Sequence, residues 1–160
     1  CRPLAISLIG KLLDEIEMLK NYIQLEMIRF ENKFNFSLTV SNDIELDSVV
    51  IPSLLIQPYV ENAILHGLYN KEGKGKLEIR INRINNNIRF EVEDDGVGRQ
   101  VAMKLREQNL LNHNSMGIRI TEERLKLMSL GQHTFTIEDL TDKNGPCGTR
   151  VSIEVPFDEE

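Results

Sequence analysis

The sequence predicts an α+β domain: a two-layer sandwich with helices on one face of a mixed sheet, preceded by a long helix. Three observations predict it. Apolar residues recur at helical spacing from Leu8 to about Lys33, period-two alternation recurs in short stretches afterwards, and helical stretches interleave with the strands. Such a sheet buries one face against the helices and leaves the other open to water or to a partner.

Ile9, Leu12, Leu13, Ile16, Leu19, Ile23, Met27 and Phe30 form one stripe of the first helix. Lys11, Asp14, Glu15, Glu17, Lys20, Gln24, Glu26 and Arg29 form its polar side. The helix either packs along the domain or pairs with a helix outside it. Its mixed-charge polar face argues against a membrane-surface role. Phe34 to Val40 alternates as a half-buried strand, and Ser41 to Asp47 is turn-like. Pro52 and Ser53 are expected to open a helix reaching Leu68. Pro58 would kink it or delay its start, and Gly67 with the loop 71–75 would end it. Leu77, Ile79, Ile81 and then Ile88, Phe90, Val92 read as a hairpin turned at Asn85-Asn86-Asn87. A short helix is expected over Gln100 to Glu107 and another from Gly117 to Gly131. Strands His133 to Asp139 and Thr149 to Pro156 follow, joined by a turn containing Asn144-Gly145-Pro146.

At 160 residues the chain suits one domain with its own core. A net charge of −6, from 25 acidic and 19 basic residues, argues against a nucleic-acid partner. No apolar run approaches the ~18 residues of a membrane span. The opening Cys1-Arg2-Pro3 has no starting Met, so the chain is expected to be a piece of a longer protein. Cys1 and Cys147 form no CxxC pair, which fits a reducing compartment and no metal role.

Four interruptions of the regular pattern carry chemistry. In Gln57-Pro58-Tyr59-Val60-Glu61-Asn62-Ala63-Ile64-Leu65-His66-Gly67, Asn62 and His66 share one helix face, with Leu55 and Tyr59 on the same stripe. An amide oxygen suits magnesium, whose shell is completed by waters and phosphates; the alternative is a solvated or capped helix face. In Glu93-Asp94-Asp95-Gly96-Val97-Gly98, paired glycines permit a close reversal and a carboxylate can accept from an exocyclic amine; the alternative is a common acidic turn. Gly117 follows a polar loop at a helix start, where free N–H groups attract phosphate unless Ser115 is only an N-cap. Thr149, after Gly148, offers a hydroxyl to a base or a bridging water, or is simply a strand residue.

Taken in order, these segments resemble the GHKL ATPases. The stretch Ile51-Pro52-Ser53-Leu54-Leu55-Ile56-Gln57-Pro58-Tyr59-Val60-Glu61-Asn62-Ala63-Ile64-Leu65-His66-Gly67 is similar to the LytS/YesM-type sensor histidine kinases of two-component systems, as is the helix around Leu19 to Lys33. The resemblance implies a Bergerat-type ATP-binding fold over residues 34–160. Residues 1–33 would be the end of the dimerisation and phosphoacceptor hairpin with its linker. It further implies that Asn62 holds Mg2+, Asp94 reads the adenine amine, Gly96 and Gly98 form the adenine-side turn, Gly117 lies at the phosphates and Thr149 supports the base. His66 either touches phosphate or satisfies a core contact. Residues 99–115 would form a lid over ATP. Glu61, about 100 degrees round the helix from Asn62, is not assigned as a base.

Two departures from the family pattern matter. Asp95 stands where Asn is usual, an unwelcome charge near a triphosphate unless it points outward or pairs with a base. Ser115 replaces the first phosphate-loop glycine. The gyrase-like relatives place an acidic base where this chain has Pro58, so hydrolysis by water is disfavoured. None of His66, His113 and His133 lies in the family's acceptor setting. The acceptor is therefore expected upstream of Cys1, and the chain is expected not to phosphorylate itself. The implied partners are ATP, a response regulator receiver domain, the phosphoacceptor helix and a second subunit of the parent. The implied location is the cytoplasmic side of a membrane sensor. The competing readings are a non-catalytic nucleotide-binding or dimerisation module of a degenerate kinase, and another GHKL ATPase or kinase.

Overall fold

The structure, a computed structural model, describes residues 9–109 and 134–159. Strand β1 (Ile9–Lys11) leads into helix α1 (Leu12–Arg29), strand β2 (Phe34–Val40) and strand β3 (Val49–Pro52). Helix α2 (Gln57–Asn62) continues directly into a π-helical turn (Ala63–Leu68). Strands β4 (Gly75–Ile84) and β5 (Asn87–Asp94), helix α3 (Arg99–Asn109), and strands β6 (Thr134–Asp142), β7 (Gly145–Pro156) and β8 (Asp158–Glu159) follow.

Five strands form a mixed sheet in the order β2-β4-β5-β7-β6, parallel only between β2 and β4. A parallel pair cannot be joined by a tight turn. The connection from β2 to β4 therefore has length enough to carry α2, and it brings the Asn62 helix onto the sheet. A smaller antiparallel sheet, β1-β3-β8, stands beside it. The architecture is the expected α+β sandwich.

Alternation along the strands decides which side chains meet the helices. Leu77, Ile79 and Ile81 of β4, Ile88, Phe90 and Val92 of β5, and Ile153 and Val155 of β7 are almost fully buried. They share one core with Leu12, Ile16, Leu19 and Ile23 of α1 and with Tyr59, Val60, Ile64 and Leu68. The stripe of α1 thus packs on this domain. Each such side chain contributes roughly 1.5–3 kcal/mol by leaving water.

Several boundaries differ from the sequence reading. Ile9 to Lys11 pair with β3 instead of beginning α1, which starts at Leu12. The helix ends at Arg29, four residues before Lys33, because Glu31 and Asn32 take left-handed conformations and Asn32 donates its N–H to the Met27 carbonyl at 2.8 Å. Pro52 ends strand β3 instead of opening a helix. The helix starts late, at Gln57, with Pro58 in its first turn, where a missing N–H costs nothing. Leu55 is therefore not on the α2 stripe, though it is buried in the core. The hairpin turns at Asn85, whose φ is 54°, and Asn87 already belongs to β5. The expected helix from Gly117 lies outside the described residues. Among the described residues no helix is long and apolar enough to cross a membrane.

Candidate functional site

Asp94 closes β5, and its register places it between Leu77 of β4 and Thr149 of β7. All three therefore lie on the helix-covered face, at the end of the sheet. The Asp94 side chain is only 5% exposed. Its Oδ1 accepts the Gly96 N–H at 2.9 Å, while Oδ2 accepts no hydrogen bond among the described residues.

Glycines make this burial possible. A Cβ on Gly67 would stand 2.6 Å from Asp94 Oδ1, so the end of the π-helical turn lies directly on the carboxylate. A Cβ on Gly96 would stand 2.2 Å from the Gly67 backbone, and Val97 donates its N–H to the Gly67 carbonyl at 3.2 Å. At Gly148 a Cβ would meet the Asp94 carbonyl oxygen at 1.9 Å, and φ is +135°. The π-helical turn itself is marked by the Tyr69 N–H reaching the Ile64 carbonyl, five residues back, at 2.9 Å. Such turns occur often at functional sites.

Burial pushes the Asp94 carboxyl up from 3.8 to about 7. The Gly96 N–H pulls it back, the Asp95 and Glu93 charges add to the rise, and Lys71 opposes them. A carboxyl held this expensively, with one oxygen uncommitted, is a candidate binding group.

Asn62 is half-buried at the last turn of α2, and its carboxamide has no hydrogen-bond partner in the described protein. His66 is half-buried on the next turn, and its carbonyl accepts the Asn70 side-chain amide at 3.1 Å. Glu61 turns elsewhere. It accepts from Gln57 Nε2 at 3.2 Å, and its charge, after burial and Glu26, helps push the Tyr22 phenol of α1 upward. Gly98, at φ +84°, ends the reversal, and its carbonyl accepts the Ala102 N–H of α3 at 3.0 Å. Arg99 then forks onto Asp139 of β6, with both contacts at 2.7 Å. The half-buried Thr149 and the Asp139 carboxylate continue the Asp94 row across β7 and β6. Of the expected lid, residues 99–109 are helical. The remainder, with Ser115, Gly117, His113 and His133, lies outside the described residues.

Asp95 settles one expectation. Its Oδ1 accepts the Lys76 N–H at 2.7 Å, and its Oδ2 pairs with Lys71 Nζ at 3.1 Å, so the added charge is both outward and paired. Two contributors escaped the sequence reading. The pattern presents Gly67 only as a helix terminator, although a glycine at that point also signals close approach. It presents Gly148 only as the lead-in to Thr149, and the β5–β7 register shows what it must avoid.

The donor set fits a nucleotide with its magnesium. A buried acceptor oxygen suits an exocyclic amine, and an uncommitted amide suits a hard cation whose shell is otherwise water and phosphate.

No family model matches the chain. It is 36% identical over 145 residues to the sensor histidine kinase YpdA of Escherichia coli (strain K12), covering 89% of this chain and 24% of that protein. It is 31% identical over 149 residues to the sensor protein LytS of Oceanobacillus iheyensis, with the same two coverages of 89% and 24%. The chain thus spans about a quarter of the length of these relatives. Among solved structures, full-length ShkA in complex with AMPPNP superposes with a TM-score of 0.61 at 17% identity, over 98% of this chain and 33% of that one. The histidine kinase ThkA, in a complex with the response regulator protein TrrA, gives 0.56 at 14%, over 92% and 41%. Those identities speak for the fold alone. The curated relatives show that this chain belongs with the LytS-type sensor histidine kinases, as one segment of them, and the solved structures show that it shares a fold found in histidine kinases.

Proposed function

We infer that the chain binds Mg-ATP between the Asn62 helix and the Asp94 strand and directs the γ-phosphoryl group to a histidine on another segment of its parent protein. The observation that carries this reading is the buried Asp94 carboxylate, packed against Gly67 and bonded by the Gly96 N–H, with one oxygen left to accept.

In this reading Asp94 Oδ2 accepts the adenine amine, and Thr149, beside it across the strand pair, supports the base. Gly96 and Gly98 keep the backbone low enough for the ring to lie against. Asn62 offers its amide oxygen to the metal, and His66 lines the same side. Gly117 receives the phosphates at its N–H. The bound magnesium would neutralise the charge that develops on the transferring phosphoryl group; such transfer is mostly positioning and charge compensation. None of the described residues is assigned as a general base, because the nucleophile is expected to be an imidazole supplied from outside this domain.

The AMPPNP complex of ShkA and the ThkA–TrrA complex support a nucleotide and a receiver domain as partners of this kind of domain. The relatives' names support a sensor role. In this reading the domain lies on the cytoplasmic side of a membrane sensor whose parent protein acts as a dimer.

Calorimetric titration with AMPPNP, with and without magnesium, tests the binding. Saturable heat is the expected result for the wild type, with affinity weaker by about tenfold or more in Asn62→Ala and lost in Asp94→Ala, and unchanged affinity in both variants refutes it. Phosphotransfer is tested by mixing the chain with labelled ATP, alone and with the acceptor hairpin of its parent. Label is expected on the hairpin only, and stable label on the isolated chain contradicts the reading.

A further inference from the structure

Glu15 of α1 has no place in the site described above, yet it is 6% exposed. Burying an ionised carboxylate is costly, and hydrogen bonds to its oxygens offset that cost. Here Oε2 accepts the Leu54 N–H at 3.1 Å and Oε1 accepts the Leu55 N–H at 3.0 Å. These two amides stand just before α2 in the chain. Leu54 has φ 57°, a conformation that a leucine adopts only when its surroundings impose it. The N-cap of α2, Ile56, has no side chain able to cap, and no side-chain cap bond is made there. The group that fixes the approach to α2 is therefore a two-pronged acceptor from a different helix.

We propose that Glu15 is a positioning residue for Asn62. Its carboxylate locks the Leu54-Leu55 backbone, sets where α2 begins, and so sets how Asn62 stands relative to Asp94. The opposite end of the same helical segment is pinned by Gly67 against Asp94. Loss of the fork lets the start of α2 swing while the Asp94 side stays in place, and a displacement of α1 acts on the site in the same way. This inference rests on the nucleotide reading of the site for its readout.

Glu15→Gln keeps the size of the side chain but sets an amide NH2 against a backbone N–H. Two probes separate the two sides of the site: AMPPNP with magnesium, which engages Asn62, and adenosine without metal, which engages only the Asp94 side. Glu15→Gln is expected to weaken Mg-AMPPNP about tenfold, the scale of one lost hydrogen bond to a charged group, with adenosine affinity unchanged. Adding Leu54→Gly to that variant is expected to restore most of the loss, because glycine takes the left-handed conformation without a clamp. Equal weakening of both probes, or no weakening of Mg-AMPPNP, overturns the proposal. If Glu15→Gln does not fold, hydrogen exchange on the wild-type chain decides. Protection of the Leu54 and Leu55 amides should rise with Mg-AMPPNP and not with adenosine, and no rise overturns the proposal. A wild-type chain that binds neither probe refutes the nucleotide reading itself, an outcome distinct from a wild type that binds and a Glu15→Gln variant that binds equally well.

Discussion

Glu93 and Asp94 are neighbours in β5, and the pleat sends them to opposite faces of the five-stranded sheet. On the open face Glu93 Oε1 meets Arg150 at 2.6 Å and Arg80 at 3.4 Å. Arg80 also reaches Glu78 at 2.6 Å and Glu91 at 2.9 Å, Arg150 reaches Glu138 at 3.0 Å, and Arg89 reaches Glu154 at 3.1 Å. That face is a lattice of alternating charges in partial contact with water. On the covered face Asp94 has glycine backbones above and beside it and, among the described residues, no cation in contact. The same functional group is thus paired with guanidinium groups on one side and desolvated among backbone on the other. One step in register separates a surface charge from a candidate ligand.

The comparison can be broken most severely at Gly148. Ala there would need a left-handed φ and would drive its Cβ into the Asp94 carbonyl, so Gly148→Ala should cost about 4 kcal/mol or more. A thermal or urea melt within 1 kcal/mol of wild type, roughly the ordinary surface range, would contradict the packing described.

The ionisation of Asp94 comes next. Unfolded, its carboxyl releases a proton near 3.8; folded, it does so near 7. Between those values the folded chain holds the extra proton, so stability falls as pH rises. The contribution is complete below the lower value and lost above the higher one. The full difference corresponds to about 4 kcal/mol, reduced by local relaxation. Asp94→Asn should therefore make the ligand-free protein more stable at pH 8, by about 2 kcal/mol or more, and flatten the pH dependence. The wild type is expected to gain nucleotide affinity from about pH 6 to pH 8 as Asp94 ionises, and Asp94→Asn to abolish that gain. Denaturant melts across pH, paired with titrations, check both outcomes.

Asn62→Ala leaves the sheet untouched and should lower Mg-nucleotide affinity about 10- to 100-fold, equivalent to roughly 1.4–2.8 kcal/mol, with little change in melting temperature. Asp95→Asn keeps an acceptor for the Lys76 N–H but gives up the Lys71 pair, and should cost less than about 1 kcal/mol. Smallest is Arg83→Ala, which removes a pair with Glu159 at 3.5 Å. Arg83 also donates to the Asn85 carbonyl at 3.1 Å and stacks on Phe157, so its effect should stay within about 0.5 kcal/mol and shrink, without vanishing, in high salt.

Much of the sheet was legible because its alternation is strict. Phe34 to Val40 has the observed bounds of β2, and the β4–β5 hairpin follows from its apolar alternation and asparagine turn. The short strands β1, β3 and β8 were not legible. Their residues are few, and they become strands only by pairing with partners far away in the chain. Pro52 looked like a helix opener because proline suits both a first helical turn and a strand end, and pairing with Ile9 decided between them. At the site, the residue types of Asn62, Asp94, Gly96, Gly98 and Thr149 drew notice as interruptions of pattern. Their mutual distances did not follow from it.

What the sequence alone determined is local: the period of each strong element, the polar breaks between them, and the resemblance carried by the Asn62 segment. Those depend on neighbours within a few residues and survive without knowledge of the fold. The tertiary structure decided which carboxylate is buried, which glycines must lack a side chain and why Glu15 is tolerated inside. Each of these depends on desolvation or close approach between segments tens of residues apart, such as Glu15 with Leu55, 40 residues on, and Gly148 with Asp94. Chain order does not encode such distances; packing creates them.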